Sequence, residues 1–235
     1  MQGIPLNERK RLGALLDDRP QTEVMAMIPQ FSQAETDNFV APPAQIPEAL
    51  GVLMFNMERG VNLPEIQEFL RDCPDIQPFD VILANELDDG CARSGNKNTA
   101  RELAQAFGLN YAWGLEFIEL VNDENAKGFH GNAVFSRWPI RRAGVIRLPE
   151  QYNWYFDRQK RIGGRLAVFA ELDVGGQPVG AVSIHLENRT HGEGRKAQMA
   201  AILEAVRKEL PDMPLILGGD LNTLSLIHIS EPTRP

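Results

Sequence analysis

Four apolar stretches of this chain each end on side chains that carry oxygen or imidazole. Asn56 and Glu58 follow LGVLMF (50–55), and Asn85, Glu86 and Asp88 follow DVILA (80–84). Ser183, His185 and Glu187 close VGAVSIHLE (179–187), and Asp220 and Asn222 follow PLILGG (214–219). Ligands of open α/β sheets gather just beyond the strand ends. A set of Glu, Asp and Asn oxygens suits a hard cation such as Mg²⁺, with Mn²⁺ as the alternative, because such ions keep several waters and also bind phosphate. A histidine beside that set can donate to a phosphate oxygen or transfer a proton. Softer metals are disfavoured, since no Cys or His cluster has zinc-like spacing.

Each residue also has an ordinary structural reading. Glu86 competes with a solvated loop carboxylate, Asn56 with a turn former, and Glu58 and Asp88 with common surface acids. His185 competes with a satisfied core histidine. Asp220 and Asn222 could build an Asx-turn, although the two glycines before them allow close approach to a ligand. His130 and Asn132 precede the AVFSRWPI stretch and are candidates to face a substrate. His191 reads as solvated, and Arg195 and Gln198 as anchors of a helix against the site loops. The segment QYNWYFDRQKRIGGR (151–165) interleaves aromatic and basic residues. It suits either base stacking with phosphate pairing or aromatics packed on a sheet edge with solvated basic groups. Arg165, after two glycines, is its best candidate for a phosphate contact.

These residues need elements to hold them. The runs 50–55 and 80–84 are short and apolar, suited to strands buried on both faces, and 214–217 reads as a further buried strand. Residues 111–120 alternate more. Strands are expected at 133–135, 143–148, 166–174 and 179–184, the last two joined by Gly175-Gly176. Helical spacing covers 62–70, with Pro64 in its first turn, then 98–107 ended by Gly108, and 195–210. A short helix fits 7–17. Hairpins mixed with helices predict two packed sheets covered by helices.

Composition bounds the rest. At 235 residues the chain can bury a large core, and 43% hydrophobic with 24% charged residues is ordinary for a globular protein. A formal charge of −8 weighs against a broad grip on a polyanion without excluding a local basic groove. Cys73 and Cys91 read as free thiols, which suits a cytoplasmic location. No apolar run approaches the roughly 18 residues that span a bilayer, and the N-terminus lacks a signal-peptide layout. A monomer with no stable membrane insertion is expected.

The ends stand apart. Residues 1–47 read as an N-terminal extension, broken by Pro20, Pro29, Pro42, Pro43 and Pro47, that packs on the main domain (48–223) or hangs from it. The tail LSLIHISEPTRP (224–235) resembles the translation of a transposon-end sequencing adapter, so it reads as non-native and His228 as no catalytic residue. The competing reading is a natural tail with Ile227 and Ile229 in a strand.

Five segments together resemble the endonuclease/exonuclease/phosphatase superfamily of DNase I-like enzymes. They are FNMERG (55–60), ILANELD (82–88), GFHGNAVFSRWPI (128–140), SIHLEN (183–188) with RKAQ (195–198), and LILGGDLNT (215–223). The resemblance implies a four-layer α/β/β/α sandwich of two mixed sheets with the site at one sheet edge. It implies metal-dependent hydrolysis of phosphoester bonds in nucleic acid or in a small or lipid phosphodiester. By position, Glu86 matches the principal metal ligand and Asn56 its first-strand partner, with Glu58 a second metal contact. His185 matches the histidine on the scissile phosphate. Asp220 would orient or deprotonate the attacking water and Asn222 would hold a phosphate oxygen. Asn132, His130 and Arg165 are carried as substrate contacts.

One departure matters. The family's pattern continues to a closing Asp-His pair, for which this sequence has no candidate once 224–235 are set aside. The last strands would then be missing and the polypeptide as written inactive. A non-catalytic binding domain on the same fold, or an unrelated α/β protein, are the rival readings.

Overall fold

Alternation along the strands sorts the apolar residues into three layers. In the computed structural model, which describes residues 1–223, β3 (Val81–Asp89) turns Val81 and Leu83 towards a second sheet, while Ile82, Ala84 and Leu87 face helices. The expectation for 224–235 falls outside the described residues. The first sheet holds β1 (Ala34–Asp37), β2 (Val52–Arg59), β3, β4 (Asn110–Glu119), β5 (Phe129–Ser136) and a short β7 (Arg161–Gly163). Its order is β1-β4-β5-β3-β2, with β7 also on β4. The second holds β6 (Ile140–Arg147), β8 (Leu166–Val174), β9 (Gln177–His185) and β10 (Leu215–Asp220), in the order β10-β9-β8-β6. Only β2–β3 and β9–β10 run parallel within these two ladders, so both sheets are mixed.

Helices α1 (Leu6–Ala14), α2 (Gln21–Ala26), α3 (Leu63–Asp72) and α4 (Thr99–Phe107) share a core with the outer face of the first sheet. The helix α5 (Gly192–Glu209) lays Ile202 and Val206 on Ala167, Phe169, Val182 and Ile184 of the second. The layers are therefore α/β/β/α. Local chemistry agrees with the expected starts and stops. The Asn98 side chain accepts from Arg101 N to cap α4, and Gly108 ends it at φ 58°, a left-handed position that glycine adopts without strain. Gly175 and Gly176 close the β8–β9 hairpin at φ 59° and 90°.

Three expectations change. The run LGVLMF is not buried on both faces: Val52 is 38% and Met54 52% exposed. They lie beside Val81 and Leu83 on the inter-sheet face, but β2 and β10 are edge strands and leave that face open to solvent. Leu215 of β10 is exposed for the same reason. Conversely, β4 is buried along its whole length, because it lies inside its sheet and is covered on both sides. Thirdly, His130 and Asn132 stand within β5 instead of preceding it.

The first residues build into the core. Ile4, Leu12, Leu16, Val24, Ile28 and Phe31 join the same apolar cluster as Leu70 and Leu103, and β1 pairs with β4. Arg9, buried, donates to the Asn125 carbonyl at 2.7 Å. At about 25 cal/mol per Å², the burial of such side chains makes this segment part of the stability of the domain.

Candidate active site

Three β-bulges at one end of the first sheet aim the polar residues. Between Ala84 and Leu87, β3 sets Asn85 and Glu86 against Asn132 alone. Between Leu115 and Phe117, β4 carries Glu116 as an extra residue opposite β5. The β2–β3 register also shifts between Asn56 and Arg59. An inserted residue bends the strand and redirects its side chain. Glu58, Arg59 and Glu86 all take positive φ there, 45°, 67° and 57°. Gly131 sits where the bulges meet, and a Cβ on it would come within 2.0 Å of the Gly114 carbonyl oxygen.

The bulged residues meet the end of the second sheet. Asn56 donates through Nδ2 to Glu86 Oε1 at 3.3 Å and to Asp220 Oδ2 at 3.1 Å. Asn132, fully buried, accepts the Glu86 backbone N–H at 3.1 Å and so pins the bulge. Asn85 ties the sheets together: it donates to the Ile184 carbonyl at 3.0 Å and accepts from Asp220 N at 2.9 Å. Arg59 Nε lies 3.9 Å from Glu86 Oε2. Glu86, Asp220 and Asn56 thus share one polar corner, and both carboxylates remain partly exposed.

His185 forms the floor of that corner and is buried. Its Nε2 lies 4.0 Å from Asp220 Oδ2 and its Nδ1 3.2 Å from Glu116 Oε2. A carboxylate thus stands near each ring nitrogen, and Arg165 Nη1 lies 3.0 Å from Nδ1 and 2.9 Å from Nε2. Glu116, wholly buried, also lies 3.3 Å from Arg165 Nη1 and 3.6 Å from His130 Nε2. Its Oε2 is within ion-pair reach of both rings without a well-aligned hydrogen bond. Burial, the largest influence, pushes the Glu116 carboxyl up, but His185, Arg165 and His130 outweigh it and hold it well below the ordinary range. Behind His130, Asp88 accepts two hydrogen bonds from Arg93, at 2.7 and 2.8 Å, and lies 2.9 Å from His130 Nδ1. Burial pushes Asp88 up as well, yet these partners bring it down to about 2.

The aromatic-basic segment divides, with Arg158 and Lys160 exposed and Arg161 and Arg165 buried. Trp154 and Tyr155 are buried and Phe156 exposed. Arg161 and Arg165 are buried in ion pairs with Glu119 and with Glu116 and Glu187, and both stack on Phe117 and Trp154. Trp154 Nε1 donates to Glu187 Oε2 at 2.9 Å. Trp154, Arg161 and Arg165 line a cleft of about 510 Å³ whose wall also includes Glu86, Arg59 and His130.

Geometry divides the sequence-selected residues. Asn56, Glu86, His185 and Asp220 converge, with Arg165 and His130 on the adjoining cleft. Asn132 touches Glu86 from behind. Glu58 is exposed near the end of β2, where its backbone N–H donates to Asn56 Oδ1, and no side-chain contact draws its carboxylate to the corner among the described residues. Asn222 N donates to Asp220 Oδ1 at 2.9 Å, an Asx-turn, and its amide is occupied with the Leu186 carbonyl at 2.8 Å. Gln198 anchors α5 by accepting from Glu187 N. Sequence reasoning missed Glu116, Arg59 and Arg189, and left Asn85 without a role. Glu116 did leave a signal: a lone acid amid YAWGLEFI needs a buried partner.

Asn85→Ala is expected to cost about 3 kcal/mol in urea unfolding, because it leaves Ile184 O and Asp220 N unpaired where the two sheets meet. A loss below about 1 kcal/mol would mean that water replaces both bonds.

The sequence profile of the Endonuclease/Exonuclease/phosphatase family matches residues 55–226, well over half of the chain. The chain belongs to the endonuclease/exonuclease/phosphatase family. Members of this family are hydrolases that act on phosphoesters, generally with divalent metal ions. Among solved structures it is similar to the endonuclease/exonuclease/phosphatase from Beutenbergia cavernae DSM 12333, at 23% identity and TM-score 0.54. That match covers 73% of this chain and 47% of the other, so the chain spans about half of that relative's length. It is also similar to the human nocturnin catalytic domain solved with a bound sulfate anion, at 21% identity and TM-score 0.51, over 87% of this chain and 70% of that one. These likenesses show the shared α/β/β/α fold. No curated protein matches.

Proposed function

We propose that the chain hydrolyses phosphoester bonds by in-line attack of water on phosphorus, assisted by Mg²⁺ or, in its place, Mn²⁺. The observation that carries this reading is the Asn56 amide reaching both Glu86 and Asp220, carboxylates from different sheets, at the mouth of a basic cleft. Two carboxylates gathered at one amide, with Arg59 no nearer than 3.9 Å, concentrate negative charge that a hard cation offsets. Among the described residues no three His, Cys, Asp or Glu side chains cluster as a metal cage. That fits Mg²⁺, which takes one or two carboxylates and keeps its waters. Glu86 would hold the ion beside Asn56, and Glu58 would have to swing inward to join them.

When bound, the cation would neutralise charge developing on the phosphoryl oxygens. Asp220, at the rim, orients the attacking water and can take its proton. His185 presents Nε2 to the scissile phosphate from below while Glu116 holds its Nδ1 side. Asn222 would reach a phosphate oxygen by giving up its bond to Leu186, and Arg165 and His130 support the substrate side while Asn132 holds the Glu86 backbone. Nucleic acid and small or lipid phosphodiesters both remain within this chemistry.

The closing Asp-His pair implied by the family resemblance has no counterpart among the described residues, so binding is read first and turnover second. Calorimetric titration of a phosphodiester with Mg²⁺, then with a chelator, tests the reading. Binding that disappears with the chelator and with His185→Ala is expected; binding indifferent to both sinks it. Metal-dependent binding without product on a substrate panel selects the non-catalytic domain instead.

A further inference from the structure

The cleft is positive in a negative protein. Arg59, Arg158, Arg161, Arg165 and Arg189 line it against two carboxylates, Glu86 and Asp157, while the whole chain carries a formal charge of −8. Buried acids already answer two of the arginines, Arg161 through Glu119 and Arg165 through Glu116 and Glu187. Arg158 is exposed and makes no ion pair among the described residues. Arg189 is largely exposed and only loosely placed, 3.8 Å from Asp157, which Tyr152 holds with a 3.0 Å hydrogen bond. These two guanidiniums line the cleft from the segments 157–159 and 188–189, and Glu86 with Arg59 lines the same cleft from β3 and β2. The scissile phosphate at Glu86 leaves the second set of charges unanswered.

We propose that the substrate carries a second phosphate, taken by Arg158 and Arg189. This deepens the phosphoester-hydrolase reading and rests on it for the position of the scissile group. A cleft of about 510 Å³ is the size that holds a small ligand or a short piece of chain. Guanidinium forks match phosphate oxygens in pairs. The same wall repels a cationic head group such as choline, so the arginines select against that class as well as for polyanions. The second phosphate can come from a small bisphosphate or from the next linkage of a single strand.

Calorimetry on the full chain at fixed salt would compare adenosine 3′,5′-bisphosphate, adenosine 5′-monophosphate, phosphocholine and a single-stranded hexanucleotide. The bisphosphate is expected to bind about tenfold tighter than the monophosphate, the gain of one charge-assisted contact, and phosphocholine weakest of all. The variant Arg158→Gln/Arg189→Gln, altered at exposed positions, should bind the two nucleotides equally. A steeper salt dependence for the bisphosphate in the unaltered chain gives a second reading that needs no variant. A hexanucleotide tighter than the bisphosphate assigns the second phosphate to a strand; a weaker one assigns it to a small molecule. Equal binding of bisphosphate and monophosphate by the unaltered chain overturns the proposal. In Glu86→Gln the bisphosphate preference should survive while chelator sensitivity is lost, so failure of the hydrolase reading and failure of this one are told apart.

Discussion

Glu86→Gln is expected to weaken Mn²⁺ binding by about 100-fold or more, since changing even a supporting residue around a metal typically costs about 10–100-fold. The substitution is nearly isosteric. A glutamine Oε1 can still accept from Asn56 Nδ2, and the backbone N–H still reaches Asn132. The metal-free protein should therefore unfold within about 1 kcal/mol of the unaltered chain. With the cation at 100 times its dissociation constant, the unaltered chain gains about 2.7 kcal/mol, and the variant gains almost none. Thermal unfolding with and without Mn²⁺ reads both quantities in one experiment. Glu58→Gln supplies the comparison, because its carboxylate is exposed near the end of β2. If Glu58 reaches the ion, its loss should cost a similar factor. If it stays where it lies, the affinity should barely change. Unchanged Mn²⁺ stabilisation in Glu86→Gln would remove the metal from this corner altogether.

Much of this arrangement was legible because the apolar runs are short and punctuated. The sequence DVILA ends in polar residues, and β3 delivers Asn85 and Glu86 where that pattern implies. The glycine that ends α4 and the pair that closes β8–β9 were equally readable, since each occupies a positive φ. What a linear pattern cannot carry is the lateral order of strands. LGVLMF and DVILA look alike, yet one lies at an edge and the other inside the sheet. The bulges were invisible too, because an extra residue shows only against its partner strand. Without them Glu116 looks like a solvent-facing member of an alternating strand, and Asn132 like a substrate contact instead of the residue that fixes Glu86. Asp220 and Asn222 show the limit from the other side: the Asx-turn reading and the site reading are both met by Asp220, whose Oδ1 serves the turn and whose Oδ2 faces Asn56.

The largest stability effect belongs to Glu116. Glu116→Gln keeps the shape but removes the one carboxylate that faces Arg165, His185 and His130 together. Removing one partner of a buried charge network typically costs about 3–5 kcal/mol, because the remaining charge stays in the interior uncompensated. Among the described residues Arg165 would keep Glu187, 3.4 Å away, as its one acidic partner. The pH dependence gives an independent check. A carboxyl whose pKa is lower in the folded state stabilises fully above its unfolded value and loses that contribution as pH falls through the folded one. For Glu116 the loss begins below about 4.5, its ordinary value. For Asp88 it runs from 3.8 down to about 2, worth about 2 kcal/mol. Urea unfolding at pH 7, 5, 3 and 2 should therefore show little change down to pH 5 and a steep fall below it. In Glu116→Gln the fall should be shallower, with only the Asp88 share left. Equal slopes in the two proteins would mean that Glu116 is already protonated in the folded state, and that His185 is held by shape instead of by charge.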